Sequence, residues 1–221
     1  MLWQSVSRRV DGLWIGANLE RDKAEAALKR VEDALSLIKT YDRPRYQHLR
    51  RDIERVWVHV LTGCLGSYNE RLRACELDPR HVLDENASVE EIAATIVHEA
   101  THARLFRCGV GYDEGKRSRV EAVCIRRERA FAARLPNGEQ LREMADLALT
   151  RCTTNDYWTD AAFDARLLDE AVATLRYLDA PEWLVRRVPL LLAIRRWWRR
   201  NRRRPASRAG HPERYRRGEQ R

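Results

Sequence analysis

The sequence contains few cysteines and no long apolar run, and these absences exclude two classes of protein. Its five cysteines are an odd number and include no CxxC pair, whereas small secreted domains are held together by even sets of closely spaced cysteines. We therefore expect reduced thiols and a cytoplasmic protein. The longest apolar stretch, residues 188–194, is flanked by arginine pairs. A membrane-spanning helix needs about 20 apolar residues, so none is expected.

The first twenty residues also lack the unbroken apolar segment of a secretion signal. Arg8, Arg9 and Asp11 interrupt them, so we expect no signal peptide. The chain has 221 residues, of which 44% are hydrophobic and 34% are charged, and its mean hydropathy is −0.62. These values suit one domain with a buried core and an appendage, and they exclude a disordered chain.

The excess of positive charge is confined to one end of the chain. The formal net charge is +9, but residues 183–221 carry 14 arginines against two glutamates, so the remainder is net acidic. We therefore assign residues 1–182 to a folded domain and residues 183–221 to a basic segment rich in Trp, Leu and Arg. Beyond about residue 201 apolar residues nearly vanish, which predicts disorder.

Apolar periodicity predicts an α+β domain that is mostly helical and has a small sheet in its first half. The predicted helices are residues 18–41, 46–53, 89–106, 117–135, 139–151 and 156–178. The predicted strands are residues 56–61 and 71–77, of which the second is taken as an edge strand, and residues 81–83 are expected to extend the sheet. A turn is expected around Gly63 and Gly66.

The helix predicted at residues 89–106 carries the strongest chemical signal. Ser88 and Glu91 have the spacing of a capping box, which marks a helix start. Within the helix, residues 98–102 form an HExxH motif. His98 and His102 are four positions apart and share one helical face, so both imidazoles can bind one ion, and Glu99 can take a proton from a metal-bound water. The pattern predicts Zn²⁺.

A catalytic zinc needs a third protein ligand, for which the sequence offers several candidates. The additional Gly and His of the metzincin pattern would fall on Leu105 and Cys108, which excludes that branch. Glu121 follows on the next predicted helix, 19 positions after the motif. Asp113 and Glu114, in the intervening loop, are competing candidates, although a helix holds ligand geometry better than a loop.

With these residues the chain resembles the gluzincin group of zinc metallopeptidases, in which a Glu on the next helix is the third ligand. The resemblance covers about residues 54–135. It implies a minimal zincin-like domain with a small sheet packed on the motif helix. It also implies that His98, His102 and Glu121 are zinc ligands and that Glu99 is the general base.

The sequence departs from this group at one position. Four residues after the ligand Glu, some members carry an Asp that supports a zinc-bound His, whereas this chain has Ile125. The residue that supports the histidine is therefore left open among Asp113, Glu114 and Glu128.

The resemblance implies hydrolysis of a peptide bond in a peptide or protein substrate. The zinc-bound water would attack the carbonyl, and Glu99 would pass the proton to the leaving amine. An oxyanion generally needs a further donor. The candidates for this donor are Tyr112, Arg119, Tyr157 and His81. The edge strand at residues 71–77 is expected to contact substrate backbone.

The basic segment supports alternative hypotheses. Residues 183–204 alternate apolar groups with arginines, which favours peripheral contact with an anionic membrane, at its inner face for a cytoplasmic protein. Alternatively, residues 190–194 pack on the domain and the arginines are solvated. Nucleic-acid binding ranks third because no recognition fold accompanies the arginines. The function is thus either that of a zinc peptidase or that of a non-catalytic zincin-fold protein or basic-tailed binding module. The oligomeric state is left open.

Overall fold

The structure is a computed structural model that describes residues 5–153 and 155–187, except for the side chains of residues 155 and 156. The hypotheses about residues 188–221 therefore lie outside the described residues. The described part is an α+β fold, mostly helical, with one mixed sheet. The predicted fold class is confirmed. Among the described residues, no helix is both long and apolar enough to cross a membrane.

The sheet has five strands in the order β1-β2-β3-β5-β4. The strands are β1 (Ser5–Val10), β2 (Leu13–Asn18), β3 (Arg55–Val58), β4 (Gly66–Asn69) and β5 (Ala74–Leu77). The central strands β2, β3 and β5 run parallel, while β1 and β4 pair antiparallel at the two edges. The two ends of the sheet are therefore built by different parts of the chain.

Eight α-helices and one 3-10 turn account for most of the other described residues. The helices are α1 (Arg21–Tyr41), α2 (Arg43–Asp52), α3 (Pro79–Val82), α4 (Val89–Arg107), α5 (Glu114–Ala132), α6 (Glu139–Cys152), α7 (Asp160–Tyr177) and α8 (Glu182–Val185), and the 3-10 turn is Asn155–Trp158. The six long helices were predicted, with ends that differ by a few residues. The short α3 and α8 were not.

The core lies between the sheet and the two helices α1 and α4, which also pack against each other. Ile15 and Val56 from the sheet, Leu28 and Leu35 from α1 and Ile96 from α4 are completely buried there. Because one side of α4 is fixed in this core, the rest of its surface holds a defined position relative to the edge strand β4 and the next helix, α5.

Two strand predictions are wrong. Residues 81–83 do not extend the sheet, because Asp78 caps a helical turn that begins with Pro79, and proline suits the first position of a helix. The strand at residues 71–77 is shorter than predicted and lies inside the sheet. The edge strand is β4, which begins at Gly66, in a segment predicted to be a turn.

The hairpin of β1 and β2 was not predicted at all. Its turn is Asp11-Gly12, in which both residues have positive φ, 49° and 89°. This sequence is typical of a type I′ hairpin turn. The Asp11-Gly12 pair is therefore a local sequence signal for this hairpin.

Candidate metal centre

The candidate metal centre lies on the facing sides of α4 and α5. The predicted capping box at the start of α4 is present: the Ser88 hydroxyl accepts from the Glu91 amide at 3.1 Å, and the Glu91 carboxylate accepts from the Ser88 amide at 2.6 Å. These two bonds stabilise the helix start. His98, Glu99 and His102 follow within the helix, on the side that faces α5 and β4.

One face of α5 completes the site. Glu121, Cys124 and Glu128 are three and four positions apart, so they share a helical face, and all three carry groups near the histidines of α4. Glu121 and Cys124 are buried, while Glu128 is partly exposed. The packing of α4 on α5 thus brings together residues that are about 20 to 30 positions apart in the chain.

The donor atoms of His98, His102 and Glu121 form a compact triangle. The two Nε2 atoms are 3.2 Å apart, Glu121 Oε2 is 3.2 Å from His98 Nε2, and Glu121 Oε1 is 3.4 Å from His102 Nε2. In a tetrahedral site with bonds of about 2.0–2.1 Å, neighbouring donors lie about 3.3 Å apart. The spacing and the two-imidazole, one-carboxylate composition therefore fit Zn²⁺.

Cys124 provides an alternative third donor. Its Sγ and one ring nitrogen from each of His98 and His102 all lie within 4.8 Å of one another. Burial raises the pKa of this thiol, and the nearby Glu121 carboxylate raises it further. A thiol binds metal as the thiolate, so both effects act against Cys124 as a ligand. The Glu121 oxygens, at 3.2 and 3.4 Å from the two Nε2 atoms, have the spacing of zinc-site donors, which favours the carboxylate.

Glu128 contacts His98 at the ring nitrogen that does not face Glu121. Its Oε2 is 3.2 Å from His98 Nδ1, while His98 Nε2 faces Glu121. A carboxylate at the second ring nitrogen fixes the tautomer and orientation of a metal-binding histidine. Of the three residues proposed for this role, the structure brings only Glu128 to the histidine, one helical turn beyond Ile125. Asp113 instead pairs with Lys116, and Glu114 accepts from the Asp160 amide.

The two histidines have opposite protonation tendencies. Burial alone would lower the pKa of His98, but its hydrogen bonds to Glu121 and Glu128 raise that pKa well above its usual value. His102 lacks the second carboxylate, and burial lowers its pKa to about 4. The pKa of Glu121 is lowered because the contacts with His98 outweigh the effect of burial. Glu121 is therefore an anionic carboxylate, as a ligand must be.

Glu99 lies beneath the edge strand and is 6% exposed. Burial raises its pKa to about 7, although His98 and a hydrogen bond from the Tyr68 backbone act in the opposite direction. A general base works best when its pKa is near the working pH. A Cβ added at Gly66 would be 3.2 Å from Glu99 Oε1 and 2.7 Å from Thr95 Cγ2, so only glycine allows β4 to approach this closely.

A cleft of about 450 Å³ opens onto these groups. β4 contributes Gly66, Ser67 and Tyr68 to its lining, and an aromatic wall includes Tyr112, Tyr157, Trp158 and Phe163. Both Glu99 and the donor triangle border this cleft.

The structure brings two of the four proposed oxyanion donors into this cleft. The Tyr112 hydroxyl donates to Glu121 Oε1, and Tyr157 lies in the aromatic wall. His81 does not line the cleft, since its Nε2 contacts Thr95 Oγ1 at 3.2 Å. Arg119 lies in a different groove, between α5 and α6. Neither His81 nor Arg119 is placed to stabilise an oxyanion at this site.

Two arginines near the site were missed by the sequence analysis. Arg117 is buried and holds the wall together by donating to the Trp158 carbonyl at 2.7 Å and to Asp160 at 2.8 Å. Arg166 lines the cleft itself. No sequence signal distinguishes them from the many other arginines, because their positions depend on how α5 and α7 pack.

Comparisons with protein-family models, with curated proteins and with solved structures found no match to this chain.

Proposed function

We propose that the protein is a zinc-dependent metallopeptidase. The observation that carries the proposal is the triangle of His98, His102 and Glu121 donor atoms, which has the edge lengths of a zinc site, beside a buried Glu99 at an open cleft. A structural cluster of ionised residues would not need an adjacent cleft. The resemblance of residues 54–135 to gluzincins supports the same assignment.

His98, His102 and Glu121 would hold the ion. When bound there, Zn²⁺ supplies a Lewis acid and lowers the pKa of water from 15.7 to about 7. Glu99 accepts the proton of the attacking water, since its own pKa of about 7 allows it to exist as the carboxylate at neutral pH. The same carboxyl group then donates the proton to the leaving amine. Glu128 keeps His98 oriented through Nδ1.

The surroundings of the site support an extended peptide as the substrate. β4 is the edge strand on the cleft side of the sheet, and Gly66, Ser67 and Tyr68 line the cleft. An edge strand offers backbone groups that can pair with an added peptide strand. This role was predicted for residues 71–77, and we now assign it to β4, because β5 is paired on both sides.

The test uses the full chain, stripped by a chelator and reloaded with zinc, and a mixture of quenched fluorescent peptides. We expect one zinc per chain by mass spectrometry and peptide hydrolysis that the chelator abolishes. Glu99→Gln should retain the zinc and lose at least about 100-fold in kcat, as removal of a general base does. Glu143→Gln, at an exposed position on α6, is the matched control and should behave as the wild type.

The double variant His98→Ala/His102→Ala should bind no stoichiometric zinc. Retention of one zinc by this variant would show that the metal binds at another site, and full activity of Glu99→Gln would exclude Glu99 as the general base. Either result overturns the proposal.

A further inference from the structure

Arg166 is a cation in the wall of the cleft. It lies near the end of the second turn of α7, and the cleft is otherwise lined by acidic, aromatic, aliphatic and small residues and the two histidines. Among the described residues that line the cleft, it is the only lysine or arginine. Glu70, Glu99 and Glu121 line the same space, so Arg166 is a positively charged side chain among carboxylates that would otherwise disfavour an anionic group.

The guanidinium of Arg166 is held in a fixed position. Its central carbon lies 3.9 Å from the centre of the Tyr157 ring and 5.9 Å from those of Trp158 and Phe163. Its Nη1 donates to the Tyr157 carbonyl at 2.7 Å. Stacking on aromatic faces and one backbone bond orient the plane without neutralising the charge.

The remaining nitrogens of this group are available for a ligand. Among the residues whose side chains are described, no carboxylate forms an ion pair with Arg166, and Nε and Nη2 donate to none of the described residues. Arg117, by contrast, is buried and already paired with Asp160. A guanidinium presents its donors in a plane that matches a carboxylate, with two parallel hydrogen bonds.

We infer that Arg166 is a specificity residue that binds a carboxylate of the peptide substrate. This inference rests on the proposed peptidase function, because it assigns a substrate group to the same cleft. The carboxylate is either an Asp or Glu side chain near the cleaved bond or the free C-terminus of a short peptide. The two sources share the same chemistry, and peptides that carry only one of the two carboxylates distinguish them.

The experiment uses two series of otherwise neutral peptides with the zinc-loaded full chain. In the first series, a single Glu is moved through the positions around the cleaved bond, and each peptide has a Gln twin with an amidated C-terminus. In the second series, the same neutral peptides carry a free or an amidated C-terminus. We expect one Glu position, or the free C-terminus, to raise kcat/KM about tenfold over its neutral twin, which is the worth of one charge-assisted hydrogen-bonded contact.

Variants connect this preference to the arginine. In Arg166→Gln the ratio of kcat/KM between the charged peptide and its neutral twin should fall to about one. Arg166→Lys should keep part of the preference, since the charge remains but the planar fork is lost. Arg119→Gln is the control, because Arg119 lies in the groove between α5 and α6 and not in the cleft. This variant should keep the full ratio. A preference that survives Arg166→Gln, or a wild-type protein without any preference, overturns the inference.

Binding measurements separate this inference from the peptidase proposal. Titration of the same peptides into Glu99→Gln, followed by calorimetry, reports recognition without turnover. Suppose that charged peptides bind better than neutral ones, that Arg166→Gln removes this preference, and that the protein hydrolyses none of the peptides. These results would support the carboxylate site and reject the peptidase. Hydrolysis with equal binding of charged and neutral peptides would reject the carboxylate site alone.

Discussion

At the scale of single residues, the candidate site combines positions that one helix fixes with positions that depend on the packing of two helices. His98, Glu99 and His102 are fixed by helical spacing alone, because positions i and i+4 share a face. The third ligand is different, since it depends on how α5 packs on α4. Spacing alone does not exclude the loop candidates Asp113 and Glu114, and it does not single out Cys124. The structure separates these residues through their contacts, since Asp113 pairs with Lys116 and Glu114 with the Asp160 amide, while Glu121 faces both imidazoles.

The choice between Glu121 and Cys124 gives a direct prediction. Glu121→Ala should weaken zinc binding more than 100-fold, because loss of a supporting residue behind a ligand already costs about 10–100-fold. Cys124→Ala should change zinc affinity by less than about threefold, although it leaves a small cavity at a fully buried position and should lower the free energy of unfolding by about 1 kcal/mol.

The measurement is a competition titration with a chromophoric chelator at pH 7, combined with urea unfolding of both variants. The unfolding curves show whether each variant is folded before its affinity is interpreted. The reverse order of affinities, with Cys124→Ala losing the metal, would assign the site to the two histidines and the thiol.

At the scale of elements, the sequence predicts a helix or strand well where the residues that determine it lie within that segment. The helix α4 was predicted to within one residue of its end because its cap and apolar periodicity lie within the segment itself. The edge strand β4 is four partly buried residues, Gly66–Asn69, whose strand conformation comes from pairing with β5. Such pairing is a tertiary contact, so local propensity does not reveal it.

The close approach of β4 to α4 predicts a specific effect of Gly66→Ala. The new methyl group would meet Thr95 Cγ2 and the Glu99 carboxylate, so β4 or Glu99 must move. We expect a cost of about 1–3 kcal/mol in the free energy of unfolding, as for other overpacked sites. We also expect kcat/KM to fall about 10–100-fold, because small displacements of a catalytic group are costly. Zinc content should not change, since the metal ligands lie on α4 and α5.

Gly115→Ala provides the matched control. An added Cβ there meets only Asp113 Oδ1 at 3.5 Å, an ordinary contact, and its position in the first turn of α5 suits alanine. Chemical denaturation, zinc analysis and peptide kinetics on both variants check the prediction. Equal activity of Gly66→Ala and the control would show that the position of β4 does not determine that of Glu99.

At the scale of the whole molecule, the candidate metal centre and the hairpin lie at opposite ends of the sheet. β1 forms one edge and β4 the other, and the helices α1 and α4 cover the strands between them. The resemblance covered only residues 54–135, so it carried no information on β1, β2 and α1. These elements nevertheless contribute much of the core. Among them, α1 packs against the side of α4 that lies in the core, whereas the candidate ligands lie where α4 faces α5.

This separation predicts that stability and zinc affinity respond independently to a change in β2. Ile15 is completely buried, so Ile15→Ala should lower the free energy of unfolding by about 2–5 kcal/mol. Leu147→Ala, at a side chain that is 66% exposed, is the control and should change it by less than about 0.5 kcal/mol. Both variants should bind zinc with wild-type affinity.

Zinc should then stabilise the wild type, Ile15→Ala and Leu147→Ala equally. Free zinc at 100 times Kd adds about 2.7 kcal/mol to a folded state that alone binds the ion, so the metal should recover much of the stability lost in Ile15→Ala. Urea unfolding at several buffered zinc concentrations measures this increment for each protein. Only a change in Kd alters the dependence of stability on free zinc. A smaller increment in Ile15→Ala than in Leu147→Ala would therefore mean that β2 and the candidate metal centre are coupled through α4.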